Sequence, residues 1–160
     1  MSEESLEVWV IDDEMMVLEN IQFNLETAGY RVRVFEDPRL AEAEIAGHVG
    51  LLIVVLDHDF SLVGMPDYKG YDFAKFAKRV HWSKCVLPIV YLTGRETSEG
   101  FSTAKHSFGG SAPDSFLSKA ESHLLVDELA KWEARLLNFE ATIDEHNLEI
   151  ALGQYCDWAD

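Results

Sequence analysis

Apolar and polar positions along the chain form short blocks that predict strands and helices in alternation. Apolar or β-branched runs predict five strands, at residues 7–13, 30–36, 51–57, 88–94 and 114–119. Helical spacing of apolar residues predicts helices between them, at about 14–28, 37–47 and 71–80, with a weaker pattern at 97–108. Strands and helices that alternate in this order indicate an α/β fold, with an open, doubly wound, five-stranded parallel sheet between two helical layers.

Polar residues end four of the predicted strands. Asp12 and Asp13 end the first, Asp57 the third, Thr93 the fourth and Lys119 the fifth. Each residue alone has a plain structural explanation, such as a helix cap, a turn or a surface charge. In parallel sheets, however, ligands bind at the carboxyl ends of the strands, so these side chains are expected to converge on one site.

Three adjacent carboxylates repel one another and need a counter-charge. A hard divalent cation with oxygen ligands supplies it, and Mg²⁺ is the expected cofactor. An ammonium and a hydroxyl beside such a cation would cradle a phosphoryl group. A carboxylate can itself be the nucleophile and form an aspartyl-phosphate. Asp57, on the central strand between the acid pair and Lys119, is the predicted acceptor.

Four ordered motifs carry a resemblance to a known family. "VWVIDDE", "LIVVLD", "PIVYLTG" and "SFLSKAE" resemble the corresponding strands of receiver domains from two-component response regulators, over roughly residues 6 to 135. The resemblance implies a flavodoxin/CheY-like strand order, 2-1-3-4-5. It also implies that Asp57 accepts a phosphoryl group from a histidine kinase or phosphotransfer protein, and that the domain signals to a downstream protein effector rather than acting as an enzyme on other substrates.

The resemblance also assigns the metal ligands. Asp13 and Asp57 would bind Mg²⁺ directly, Asp12 would act mostly through water, and the backbone carbonyl of Asp59 would complete the protein ligands. The acidic side chain of Asp59 occupies a position that tunes phosphate loss in this family.

The same resemblance assigns the phosphoryl contacts and the switch. Thr93 and Lys119 would bind phosphoryl oxygens, and Phe116 would be the aromatic residue that follows movement of Thr93. The longer segment between Thr93 and Lys119, with "SFGGSAPDS", is expected to be a flexible switch face.

An insertion of about five residues departs from the family pattern after Asp57. The family has Met-Pro three residues after its acceptor, whereas Met65 and Pro66 follow Asp57 by eight and nine. The inserted loop, "HDFSLVG", is expected either to cover the site or to alter kinase docking.

A rival enzyme interpretation rests on "LDHDFSL", which resembles the first motif of haloacid-dehalogenase-type phosphatases. Asp57 would then be the nucleophile and Asp59 the acid/base. That fold needs a later strand ending in acids, whereas Asp12 and Asp13 precede the nucleophile and no strand is predicted after Lys119. The receiver interpretation is therefore favoured.

A long helical pattern follows, from Glu121 to about Leu152, or about 48 Å. Its first half, up to about Leu136, is expected to cover the sheet, and the apolar stripe beyond that residue favours a partner helix over folding back on its own domain. We therefore predict a receiver domain at residues 1–135 and a helical extension at 136–160. The predicted homodimer contacts are Trp132, Leu136, Phe139, Ile143 and Ile150, with His146 as a polar residue that sets the register.

Charge limits the choice of partners. The chain has 13 Lys and Arg against 29 Asp and Glu, a net charge of −16, which argues against nucleic acid or an anionic membrane. The N-terminal "MSEESLEV" lacks the apolar region of a signal peptide. Cys85 and Cys156 have neither metal nor redox spacing, so a cytoplasmic protein with reduced thiols is expected.

Overall fold

The computed structural model describes residues 6–93 and 114–142. In this part of the chain the sheet has five parallel strands: β1 (Glu7–Ile11), β2 (Arg31–Phe35), β3 (Leu52–Leu56), β6 (Ile89–Thr93) and β7 (Asp114–Ser118). Their order is β2-β1-β3-β6-β7. The predicted order, 2-1-3-4-5 counted over the parallel strands, is therefore confirmed.

The described helices cover both faces of this sheet: α1 (Met15–Thr27), α2 (Pro38–Ile45), α3 (Gly70–Val80) and α4 (Leu125–Thr142). Alternate strand residues point to opposite faces, so each strand contributes to two cores. In β1, Val8 and Val10 pack in the core that includes residues of α1 and α4. Trp9 and Ile11 pack in the core that includes residues of α2 and α3. The doubly wound architecture is confirmed.

The inserted segment after Asp57 forms a small hairpin that the sequence pattern did not predict. Strand β4 (Asp59–Phe60) pairs antiparallel with β5 (Met65–Lys69), and the short 3₁₀-helix Ser61–Val63 joins them. We call residues 59–69 the insertion hairpin. Gly64 closes the 3₁₀-turn with a φ of 77°, a left-handed conformation that favours glycine.

Helix α4 requires a correction to the predicted dimer contacts. It begins at Leu125, after the 3₁₀-segment Lys119–Leu124, and runs without a break through the predicted boundary at residue 135. Trp132, Leu136 and Phe139 are buried in the core of their own domain, because this face of the sheet needs an apolar cover. These three side chains are therefore unavailable as dimer contacts.

Some predicted features lie outside the described residues. They include Ile143, His146 and Ile150 of the stripe, the weak helix at 97–108, and most of the expected switch face. No helix in the described ranges is long and apolar enough to cross a membrane.

Candidate functional site

Three acids meet at the carboxyl edge of the sheet. Asp12 and Asp13 follow β1, and Asp57 follows the adjacent strand β3. The Asp57 backbone N–H donates to the Ile11 carbonyl at 2.9 Å, which fixes the two strand ends side by side. Each acid offers a carboxylate oxygen within 4.8 Å of the others, and all three side chains are buried. The structure thus brings together the three carboxylates that the strand ends predicted.

Lys119, directly after β7, brings a positive charge to the same place. Its Nζ lies 2.9 Å from Asp12 Oδ2, 3.7 Å from Asp57 Oδ2 and 3.6 Å from Glu14 Oε1. Burial lowers the pKa of this ammonium, but the hydrogen bond to Asp12 and the nearby carboxylates outweigh it, so the net pKa is raised. Lys119 is therefore a fixed cation in the pocket.

Backbone amides orient each of the three carboxylates. The Glu14 N–H donates to Asp12 Oδ1 at 2.9 Å, and the His58 N–H donates to Asp57 Oδ1 at 2.8 Å. The Leu62 N–H, from the insertion hairpin, donates to Asp13 Oδ2 at 2.8 Å. These bonds hold the acids in a defined arrangement in spite of their mutual repulsion.

Burial and crowding favour protonation of the cluster. Burial, followed by the charge of Asp12, raises the pKa of Asp57 to about 7, against the opposing effects of Lys119 and the His58 amide. Burial also raises the pKa of Asp12 and of Asp13. One ammonium thus only partly compensates three carboxylates. A buried set of carboxylate oxygens with this excess of negative charge fits Mg²⁺, which prefers oxygen ligands.

The raised pKa of Asp57 predicts a pH-dependent stability. The folded protein binds the proton on the Asp57 carboxyl more tightly than the unfolded chain does. The stabilisation of the folded state by this proton is therefore full below pH 3.8 and is lost as pH rises through about 7. Without Mg²⁺, wild type should lose about 1 kcal/mol more unfolding free energy than Asp57→Asn between about pH 6 and pH 8. Urea titrations at each pH measure the difference, and equal pH profiles would contradict the prediction.

The structure places the other predicted site residues, Thr93, Phe116 and Asp59, on neighbouring strands and on the insertion hairpin. Thr93 ends β6, on the strand next to β3, but its side chain lies outside the described part. Phe116 on β7 stacks on Tyr91, with ring centroids 5.0 Å apart. Asp59 begins the insertion hairpin; its Oδ1 accepts from the Ser61 N–H at 2.9 Å, and its charge contributes to the raised pKa of Asp13.

Two contacts of the site were not predicted from the sequence. One is the Leu62 amide on Asp13, which depends on how the inserted residues fold. The other is Gly70, at the start of α3, where a Cβ atom would overlap the Asp57 carbonyl oxygen and lie 3.2 Å from the His58 Cα. The only sequence signal for this close approach was a glycine directly after a polar strand.

Sequence similarity links part of the chain to a known regulator. No family model matches the chain. It is 31% identical over 93 residues to the transcriptional regulatory protein BasR of Escherichia coli (strain K12). This match covers 58% of the chain but only 37% of that protein, so the chain spans well under half the length of the relative.

Solved structures share the fold. A CheY-like response regulator receiver domain protein from Methanospirillum hungatei JF-1 superposes with a TM-score of 0.63 at 17% identity, covering 81% of this chain and 94% of that one. A response regulator receiver protein from Sinorhizobium medicae WSM419 gives 0.58 at 19%, covering 99% and 100%. A structure named as an adenylate cyclase, from Rhodopirellula baltica, gives 0.63 at 18%, covering 84% and 94%.

The sheet order and these superpositions show that the chain has the CheY-like fold of receiver domains, and part of its sequence is similar to a transcriptional regulatory protein. The phosphatase alternative gains no support. In the described part of the chain, residues after Lys119 form only helical segments, so the later acid-bearing strand of that fold is not found there.

Proposed function

We propose that this chain is a phosphorylation-controlled signalling domain in which Asp57 accepts a phosphoryl group. The observation that carries the proposal is the pocket itself, where Asp57 shares a buried edge with Asp12 and Asp13 and its Oδ2 lies 3.7 Å from Lys119 Nζ. The donor would be a phosphohistidine on a kinase or phosphotransfer protein.

The step forms one bond and breaks one. A carboxylate oxygen of Asp57 attacks phosphorus, and the bond from phosphorus to the imidazole nitrogen of the donor breaks. The imidazole leaves with the electron pair of that bond and takes up a proton. Lys119 would hold a phosphoryl oxygen, since its ammonium already faces the reacting carboxylate.

The metal ligands are proposed from the same pocket. Asp13 and Asp57 would hold Mg²⁺ directly, Asp12 through water, and the Asp59 carbonyl would complete the set. Bound Mg²⁺ would supply positive charge for the phosphoryl oxygens and favour ionised Asp57, whose pKa is otherwise about 7.

Signal output would follow from a change in protein contacts. Thr93 and Phe116 are proposed as the residues that respond to the phosphoryl group, and a downstream protein effector as the partner. The chemistry would be limited to the domain's own phosphorylation and dephosphorylation. A homodimer through the residues after 142 stays a prediction of the apolar stripe.

Phosphorylation by a small donor tests the proposal directly. Acetyl phosphate with Mg²⁺ should add a single phosphoryl group to the chain, because the pocket carries its own acceptor and cations. Intact-mass spectrometry measures the adduct, and EDTA in place of Mg²⁺ should prevent it. An unmodified chain with both acetyl phosphate and a phosphohistidine donor would contradict the proposal, as would catalytic turnover of p-nitrophenyl phosphate.

A further inference from the structure

The insertion hairpin is anchored to the rest of the domain at both of its ends. At the entry, Phe60 is fully buried in the core beneath it. At the exit, the Gly70 N–H donates to the His58 carbonyl at 2.9 Å, directly beside Asp57. Tyr68, on the returning strand, donates its hydroxyl to Glu42 of α2 at 2.6 Å. These anchors hold the hairpin against the domain.

The tip of the hairpin reaches a single acid of the pocket. The Leu62 N–H donates to Asp13 Oδ2 at 2.8 Å, across 49 residues of sequence. The Leu62 side chain is 69% exposed, so this residue contributes its amide rather than core packing. The Ser61 N–H bond to Asp59 and the left-handed Gly64 shape the turn that presents the amide.

A hydrogen bond from a backbone amide has a defined effect on a carboxylate that binds a metal ion. It holds the carboxylate in one orientation and offsets part of its charge when no cation is present. Groups that orient ligands from outside the coordination shell strongly affect metal affinity, typically by about 10–100-fold. The larger amide contribution to the Asp13 carboxylate comes from Leu62 in the inserted residues, and the backbone amide of Asp13 adds a smaller one.

We propose that the insertion hairpin is a positioning element for the cation site, acting through the Leu62 amide on Asp13. The inference rests on the proposed function, because it assumes that Asp13 is a Mg²⁺ ligand. By linkage, a bound cation and the hydrogen bond from Leu62 to Asp13 stabilise each other. The inserted residues therefore couple metal occupancy to the surface beside Asp57.

Proline at position 62 removes the N–H that donates to Asp13 Oδ2. Position 62 lies in a 3₁₀-turn, and proline is tolerated in the first turn of a helix. Leu62→Pro should bind Mg²⁺ about tenfold more weakly than wild type, measured by calorimetric titration without any phosphoryl donor. Leu62→Ala keeps the amide and removes most of the side chain, so it should stay within about twofold of wild type.

Hydrogen exchange of the wild-type protein supplies a measurement that needs no variant. Saturating Mg²⁺ should slow exchange of the Leu62 amide about tenfold, by reciprocity with the affinity effect. The Gly47 amide, bonded to the Glu44 carbonyl in α2, is the internal control and should not change.

The outcomes separate this inference from the proposed function. The inference is overturned if Leu62→Pro and Leu62→Ala bind Mg²⁺ with equal affinity, even if Asp57 is phosphorylated. It is also overturned if the hydrogen-exchange rate of the Leu62 amide does not change with Mg²⁺. A tenfold loss specific to Leu62→Pro supports the inference even if acetyl phosphate fails to modify Asp57, which would count against the proposed function alone. Wild type that takes up no Mg²⁺ overturns both.

Discussion

Replacing Asp57 by asparagine is expected to abolish the phosphoryl adduct. The amide lacks the negative charge that makes the carboxylate a nucleophile, and it cannot form the acyl phosphate. The asparagine side chain should fit the site, because it is nearly the same size as aspartate and its oxygen can still accept the hydrogen bond from the His58 N–H. Intact-mass spectrometry after treatment with acetyl phosphate and Mg²⁺ should show only unmodified protein.

Asp59→Asn is the matched control for this experiment. Asp59 lies two residues away and is also acidic, but its side chain caps the Ser61 N–H in the insertion hairpin. The variant keeps the backbone carbonyl proposed as a metal ligand, so it should still form the adduct. An adduct on Asp57→Asn equal to that of wild type would place the acceptor elsewhere and remove the proposal.

Gly70→Ala is expected to destabilise the protein by about 2–3 kcal/mol, in the range typical of overpacking. The added Cβ would overlap the Asp57 carbonyl oxygen and press on the His58 Cα, both of which are backbone atoms at the end of a fully buried strand. The strand end or the start of α3 must therefore shift. Urea unfolding monitored by tryptophan fluorescence measures the loss of unfolding free energy.

Gly47→Ala provides the comparison for Gly70→Ala. A Cβ at Gly47 would lie 3.9 Å from the Glu44 carbonyl oxygen, an ordinary contact distance. The free energy of unfolding should therefore change by no more than about 0.5 kcal/mol. If Gly70→Ala were as stable as Gly47→Ala, the close approach of α3 to the strand end would not constrain the site.

Much of the scaffold was predictable because strands and helices have different periods. The unbroken apolar run of β3 is typical of a strand buried on both faces, and all of Leu52–Leu56 is buried. Asp37 and Pro38 predicted the start of α2, where the Asp37 side chain accepts the Arg39 N–H at 2.9 Å. These signals depend on residues that are neighbours in the chain, so the sequence alone is enough to recognise them.

The C-terminal stripe shows where a local signal becomes ambiguous. Periodicity shows that Trp132, Leu136 and Phe139 need an apolar cover, but not whether a partner or their own sheet provides it. The structure answers this with Trp132, whose indole donates to Ser115 Oγ on β7 at 2.8 Å. The cover is the domain's own sheet, because α4 packs back across it.

Buried polar contacts between distant residues were beyond sequence reasoning. His48 Nδ1 and His81 Nε2 lie 3.0 Å apart, although 33 residues separate them. Burial, with a smaller effect from His48, lowers the pKa of His81 to about 3, so His81 is neutral at physiological pH, and burial also lowers the pKa of His48. Nothing in the spacing of the histidines along the chain predicted this pair.

The sequence by itself determined where strands and helices alternate along the chain and which acids and lysine end the strands, because these patterns are local. Only the tertiary structure decided the distances among Asp12, Asp57 and Lys119, on which their pKa values depend. It also decided that the inserted residues fold onto Asp13. Hydrogen bonds act over about 3 Å between groups far apart in the chain, so the folded backbone alone sets them.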